Sequence, residues 1–225
     1  MIIGVDMSNT PKLITQEARY LMSLDYLILP LDFRDLRQAL AKNGYESALV
    51  RNLPPPPTRI SFSGEIARKK ETAIIADSEA GEIGVINRSL GEARTSFGDL
   101  IKLVEEEIGI DLHKRVKFYQ VSVHYKCDSG KIPLKEIPKA ENKEFIKKLS
   151  EIMGESLSSF SIRLAKKDSN INQGDWLDIA IEPDLVYENY YHIGVVYRNS
   201  NKEKTEMFVK DLETNLMKII ELIEA

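Results

Sequence analysis

Residues 176–182 read Trp-Leu-Asp-Ile-Ala-Ile-Glu, and residues 190–198 read Tyr-Tyr-His-Ile-Gly-Val-Val-Tyr-Arg. In both stretches apolar side chains alternate with polar or small ones, which is typical of a strand with one buried face. Residues 59–68 and 160–165 show the same alternation. Strands of a doubly wound parallel sheet are instead apolar throughout. The pattern therefore predicts an α+β fold in which helices cover one face of an antiparallel sheet.

Four amphipathic segments are predicted to form the helices, because their apolar residues recur at every third or fourth position. They cover residues 32–43, 89–109, 142–153 and 206–223. Asp32 and Ser89 are suited to cap the first two by accepting a backbone N–H. Gly44, Gly109 and Gly154 follow the first three, as expected for residues that end a helix in the left-handed conformation.

The predicted elements occur twice in the same order, namely strand, helix, antiparallel strands and long helix. The first series covers residues 24–110 and the second covers residues 116–225, with one strand fewer. We interpret this order as an internal duplication of two α+β units that pack as one compact body. Residues 1–23 are interpreted as an N-terminal extension with a short helix ending at Leu21, and the first unit then begins with a strand at residues 26–30.

This order of elements resembles the TATA-binding-protein-like fold, and the resemblance covers roughly residues 24–225. It implies a broad antiparallel sheet backed by four helices. Members of that family carry paired phenylalanines that wedge between base pairs. Here Phe62, Phe118 and Phe160 are predicted to face the helices. The resemblance therefore contributes an expected fold, and none of the family's DNA-binding residues is carried over.

Composition restricts the classes of function. A net charge of −4 and a pI near 5.6 argue against an unselective polyanion binder. Cys127 is the only cysteine, which excludes an intrachain disulfide and a multi-cysteine zinc site. The start lacks a basic leader and no apolar run reaches membrane-spanning length, so we expect a cytoplasmic protein without membrane contact. Abundant Glu, Lys and Ile with four Gln indicate a thermophile.

No segment carries a catalytic, metal or nucleotide motif, so no cofactor and no metal site are predicted. The three histidines, His113, His124 and His192, do not have metal-ligand spacing. One enzyme hypothesis pairs His124 or His192 with Asp178 on the sheet; Glu182 and Arg163 are the other partners considered for a metal or acid–base site there. The favoured interpretation is that these are isolated surface histidines, and that the protein is not an enzyme.

The favoured hypothesis is a binding or adaptor protein that recognises a macromolecule, most plausibly a protein, through the sheet face without helices. Trp176 is suited to anchor a partner because a large aromatic buries much area at low entropic cost. Nucleic-acid binding on the same face is the alternative, and the last helix has an apolar flank that would allow self-association. The predicted binding residues are Arg59, Ser61, Glu65, His124, Arg163, Trp176 and Asp178.

Overall fold

The computed structural model describes residues 11–26, 29–48, 61–169 and 174–225. Within these residues the chain forms nine strands and five helices. The strands are β1 (Lys12–Leu24), β2 (Glu46–Ser47), β3 (Ser63–Lys69), β4 (Thr72–Asp77), β5 (Glu82–Asn87), β6 (Val116–Asp128), β7 (Ile162–Ala165), β8 (Trp176–Pro183) and β9 (Tyr190–Asn199). The helices are α1 (Phe33–Lys42), α2 (Leu90–Leu103), α3 (Pro133–Glu136), α4 (Lys143–Met153) and α5 (Lys202–Ile223).

All nine strands belong to one sheet, and every neighbouring pair is antiparallel. Their spatial order is β2-β3-β4-β5-β1-β6-β9-β8-β7. The two longest strands, β1 and β6, have 13 residues each and lie side by side in the middle. The predicted α+β class with an antiparallel sheet is therefore confirmed.

Strand β1 corrects the interpretation of the N-terminal part of the chain. The predicted short helix ending at Leu21 is wrong, because Lys12–Leu24 is a strand that pairs with β5 on one side and β6 on the other. Leu21 and Ser23 are buried on one face of the sheet while Tyr20 and Met22 are buried on the other. Burial on both faces removes the alternation from the sequence, which explains the error.

The strand predicted at residues 26–30 is also wrong at the positions that the structure describes. Tyr26, Leu29 and Pro30 lie outside any strand, and positions 27 and 28 lie outside the described residues. Leu29 is nevertheless fully buried, and its N–H donates to the carbonyl of Ser78 at 2.8 Å. Leu29 therefore helps to close the core between β1 and α1.

Three helices form a layer on one face of the sheet. The Tyr20 side chain of β1 contacts two of them, because its ring lies 5.2 Å from that of Phe97 in α2 and its hydroxyl donates to Glu206 in α5 at 3.1 Å. Helix α1 lies beside α2, where Lys42 pairs with Glu107 at 2.9 Å. The side chains between sheet and helices form a single buried cluster.

The other helical segments partly match the prediction. Helix α4 occurs as predicted, and α2 continues as a π-helical turn over Val104–Ile108 that ends at Gly109, whose φ is 77°. Residues 131–140 contain α3 and a 3₁₀ turn over Ile137–Ala140. Among the described helices, none has both the length and the apolar character that spanning a membrane requires.

The two halves of the chain have a similar order of elements, although the second has two helices, α3 and α4, where the first has α1 alone. In each half a central strand is followed by helix, outer strands and a long helix, with five strands in the first half and four in the second. In each half the chain passes from its central strand, β1 or β6, to the edge of the sheet, and the following strands return inward until the last of them pairs with that central strand. The internal duplication, and the boundaries drawn at residues 23, 110 and 116, stay predictions.

Candidate functional site

The sheet surface opposite α1, α2 and α5 is the candidate site, and we call it the open face. Strand register places side chains from seven neighbouring strands in one row across it. In order, the row consists of Glu65, Ile75, Gly84, Leu21, Gln120, Arg198 and Trp176. Because successive strand residues point to opposite faces, the residues two positions away in each strand extend this surface.

An arginine and two aromatic residues lie together on the open face. The guanidinium carbon of Arg198 lies 4.7 Å from the ring centroid of Phe118, and its Nε donates to Oε1 of Gln120. Trp176, one of the predicted binding residues, is half-buried and directly opposite Arg198 in the β8–β9 register. Arginine over an aromatic face gains from both charge and area, which is typical of partner anchors.

The position of Phe118 corrects the sequence prediction that it faces the helices. In β6 the buried side chains that face the helices are those of Tyr119, Val121 and Val123. Phe118 alternates with them along the strand, so its side chain lies on the open face. It pairs with Ser23 on β1, whose side chain lies on the open face with that of Leu21. The hydrophobic character of Phe118 suggested a core position, whereas Arg198 covers its ring in the structure.

Two further predicted binding residues, Arg163 and Asp178, form a bidentate ion pair at the edge of the open face. Nε and Nη2 of Arg163 donate to the two carboxylate oxygens of Asp178 at 2.9 and 2.6 Å. The arginine side chain is 73% exposed while that of the aspartate is 14% exposed. The carboxylate therefore holds the guanidinium in a fixed orientation and leaves its other side accessible to a partner.

His124 and His192 are stacked on the open face. Their ring centroids are 5.5 Å apart at an interplanar angle of 15°. Gly194 lies directly opposite His124, and a Cβ there would lie 3.7 Å from the imidazole, an ordinary van der Waals distance. Nδ1 of His192 is 3.1 Å from Oε1 of Glu182.

The enzyme hypothesis placed Asp178 beside these histidines, but the carboxylate nearest His192 belongs to Glu182, and Asp178 is paired with Arg163. Within the described ranges, no group of three or more His, Cys, Asp or Glu side chains is arranged to hold a metal ion. Cys127 is fully buried, and burial, with nearby Glu224 and Asp128, raises the pKa of its thiol to about 12. A thiol with that pKa is a poor nucleophile near neutral pH.

Glu65 lies at the far side of the open face, beside a shallow groove of about 330 Å³. Arg68 donates to both oxygens of Glu65 at 2.8 and 2.5 Å. The groove has an apolar floor and a mixed polar rim; its residues include Leu21, Ile75, Ile86, Arg19, Glu65, Asp77 and Glu82. Burial raises the pKa of Glu82, although Arg198 and Arg19 oppose this effect. Ser61 is exposed just before β3, and Arg59 lies outside the described residues.

The sequence analysis missed a salt bridge that orders the β8–β9 hairpin beside the histidines. Asp184 accepts hydrogen bonds from Lys126 at 2.9 Å and from the backbone N–H groups of Val186 and Tyr187 at 2.9 and 3.0 Å. Nζ of Lys126 also lies 4.4 Å from the ring centroid of Tyr187. In a sequence, such a turn is indicated by an aspartate whose carboxylate can accept a hydrogen bond from the backbone N–H two residues later.

The pKa of Asp184 gives a testable pH dependence. Burial alone would raise this pKa, but the bonds from Lys126 and the two backbone N–H groups lower it below the ordinary value. Since the folded state binds the proton more weakly than the unfolded state, the carboxylate stabilises the fold above pH 4, and this contribution is lost as pH falls through the folded pKa.

We therefore expect Asp184→Asn to lower the free energy of unfolding by about 1 kcal/mol at neutral pH, because an amide still accepts the backbone bonds but loses the charge. The gap from the wild type should close as pH falls through the folded-state pKa of Asp184. Urea unfolding at a series of pH values measures it, and a gap that stays constant into strong acid would contradict the assignment.

The cations of the open face have acidic partners on or beside that face. Arg163 pairs with Asp178, Lys126 pairs with Asp184, and Arg19 lies 3.6 Å from Glu17. Arg198 is engaged by Gln120 and Phe118. The surface therefore presents mixed charge between aromatic and aliphatic side chains.

Comparison with known proteins adds no relative to these observations. No family model matches the chain, and none of the curated proteins matches it. The function of the chain is therefore inferred from the geometry of the open face.

Proposed function

We propose that this chain is a non-enzymatic binding or adaptor protein that recognises a protein partner through the open face. The observation that carries the proposal is the adjacency of Trp176, Arg198 and Phe118 on the sheet surface opposite helices α1, α2 and α5. Tryptophan and arginine are the residue types that most often dominate binding energy at protein interfaces. The Arg163–Asp178 pair supplies an oriented polar group at the rim of the same surface.

Charge favours a protein partner over a nucleic acid. A phosphate-binding surface needs several cations that can release counterions on contact with the backbone. On the open face Arg163, Lys126 and Arg19 each already have a carboxylate within 4 Å. A partner with mixed polar and apolar surface can exchange these pairs for its own, whereas a polyanion would be repelled by the acidic members.

The central test is Trp176→Ala, for which we expect partner binding at least about 30-fold weaker, in line with the loss of a hot-spot side chain. The immobilised wild-type chain is used to recover a partner from a native lysate, and the affinity of the purified partner is then measured for each variant. Arg163→Glu should weaken binding as well, because it reverses the oriented charge beside Asp178.

Arg88→Glu is the matched control for the charge reversal, since this arginine is 82% exposed and lies between β5 and α2, outside the row of the open face. Its binding should equal that of the wild type. Thermal unfolding of each variant separates lost binding from lost folding. Full partner recovery by both folded variants, Trp176→Ala and Arg163→Glu, would rule out this face.

The same preparation tests nucleic-acid binding directly. A gel shift with duplex and single-stranded DNA should give no complex, or a complex whose affinity does not change with added salt. Binding through phosphate contacts would weaken as salt rises. A complex whose affinity falls steeply as salt rises, and that is lost in Arg163→Glu, would replace the protein partner with a nucleic acid.

A further inference from the structure

Within the described residues, one amphipathic helix is covered on its apolar side only in part. Helix α4 has apolar residues with the same helical spacing as α1, whose Phe33, Leu36 and Leu40 are buried in the core. In α4 no residue is buried, although its cap is regular: Asn142 accepts from the N–H of Phe145 at 3.1 Å. A well-capped helix with a partly uncovered apolar side indicates a surface that is completed by another molecule.

The uncovered apolar surface continues from α4 to the edge of the sheet. The segment after α4 folds back along it, because the N–H of Leu157 donates to Oγ of Ser150 at 3.0 Å and that of Ser159 donates to Glu141 at 2.8 Å. This segment leads into β7, the last strand of the sheet. The large apolar residues along the path are 38% to 77% exposed: Phe145, Ile152, Met153, Leu157, Phe160 and Leu164.

Strand β7 offers backbone groups for pairing on its outer side. The N–H of Lys166 donates to the carbonyl of Leu177 in β8 at 3.0 Å, so this residue faces into the sheet. Because N–H directions alternate along a strand, the backbone N–H and C=O of Arg163 and Ala165 point outward. In the described part of the chain no strand pairs with this edge.

We propose that a second copy of this chain covers the surface, with β7 pairing antiparallel to β7 of the second copy about a twofold axis and with the two α4 helices meeting beside it. The resulting sheet would continue across both subunits, so that their open faces form one surface. The proposal does not depend on which partner the open face recognises.

The identity of the occupant follows first from the two sheet edges. The opposite edge is β2, which has only two residues and cannot match the length of β7. Pairing of β7 with itself is isologous and closes at two subunits, whereas pairing of different edges would continue into a filament. A closed dimer also removes an exposed edge that would otherwise promote aggregation.

Register and charge allow this pairing. With Leu164 of one subunit opposite Leu164 of the other, two half-exposed leucines come together on the sheet face opposite Arg163. Arg163 then lies opposite Ala165, and Ile162 lies opposite Lys166. No like charges face each other directly, and Arg163 keeps its bond to Asp178.

The area is sufficient for a stable dimer. If each large apolar side chain offers about 150 Å² when fully exposed, the six residues provide roughly 500 Å² per subunit and roughly 1,000 Å² for the pair. The strand backbones and helix flanks add to this. Interfaces of about 1,000 Å² or more are of the size found in specific complexes.

Sedimentation equilibrium of the full chain across a wide concentration range tests the proposal. The wild type should have twice the 25.6 kDa mass of the chain. Ala165→Pro removes an outward N–H and should raise the dissociation constant at least tenfold, as should Ile152→Glu, which places a charge on the exposed side of α4. Leu222→Glu is the matched control, because this residue of α5 is 76% exposed and lies outside the path, and it should stay dimeric.

Circular dichroism and thermal unfolding verify that each variant is folded. If Ala165→Pro does not fold, Ile152→Glu still tests the dimer. A wild-type chain that is monomeric at every concentration would overturn the proposal. A dimer that withstands both Ala165→Pro and Ile152→Glu, or that is dissociated by Leu222→Glu, would overturn it equally.

Discussion

Gly84→Ala should lower the free energy of unfolding by about 3 kcal/mol or more, because a Cβ at this position of β5 would overlap atoms of the neighbouring strand β1. A Cβ at this position would lie 2.4 Å from the carbonyl oxygen of Tyr20 and 2.6 and 2.8 Å from Cβ and Cα of Leu21. These atoms belong to the backbone of β1 or are fixed to it, so no side-chain rotation relieves the overlap. The two strands must separate, and urea unfolding measures the loss.

Gly98→Ala is the control for the same chemical change. Gly98 lies within α2, and a Cβ there has no atom within 4 Å. Alanine is the better helix former, so this variant should be more stable than the wild type by about 0.5–1 kcal/mol. If Gly84→Ala were as stable as Gly98→Ala, the close approach of β5 to β1 would be refuted.

Strand β1, which pairs with β5 at this glycine, is also a part of the fold that sequence reasoning failed to predict. Apolar alternation predicted β8 and β9 correctly because each has one buried and one open face. In β1 the second half is buried on both faces, at Leu21 and Ser23 as well as at Tyr20 and Met22, so no alternation remains. Sequence periodicity identifies strands by the contrast between their faces, and the most central strand has the least contrast.

The candidate site could be predicted in part. The polar phase of β8 correctly indicated that Trp176 and Asp178 share a face, and the neighbouring Arg163 was included for the same reason. Arg198 and Phe118 were missed as partners because their contact joins β9 to β6, and strand order is not encoded in local periodicity. The proximity of residues on different strands depends on topology, which requires the whole chain.

Tyr20→Ala should cost about 3–5 kcal/mol, since this residue connects the sheet to helices of both halves of the chain. Its side chain is 1% exposed and contacts Phe97 of α2, while its hydroxyl donates to Oε1 of Glu206 in α5. Arg94 of α2 lies against the other oxygen of Glu206 as an ion pair without hydrogen-bond geometry. Burial, and the negative charge of Glu206, raise the pKa of Tyr20 far above its usual value, so the hydroxyl stays a donor at any physiological pH.

Tyr20→Phe separates the two contributions of this side chain. The ring keeps its contact with Phe97, and only the bond to Glu206 is lost, which should cost about 1–2 kcal/mol. The difference between the two variants in urea unfolding then gives the contribution of the ring at the junction of β1, α2 and α5. Hydrogen exchange should show loosening of both α2 and α5 in Tyr20→Ala, because the cavity lies between them. If Tyr20→Ala and Tyr20→Phe lost the same free energy of unfolding, the hydrogen bond to Glu206 would account for the whole effect, and the stabilising role of the buried ring would be refuted.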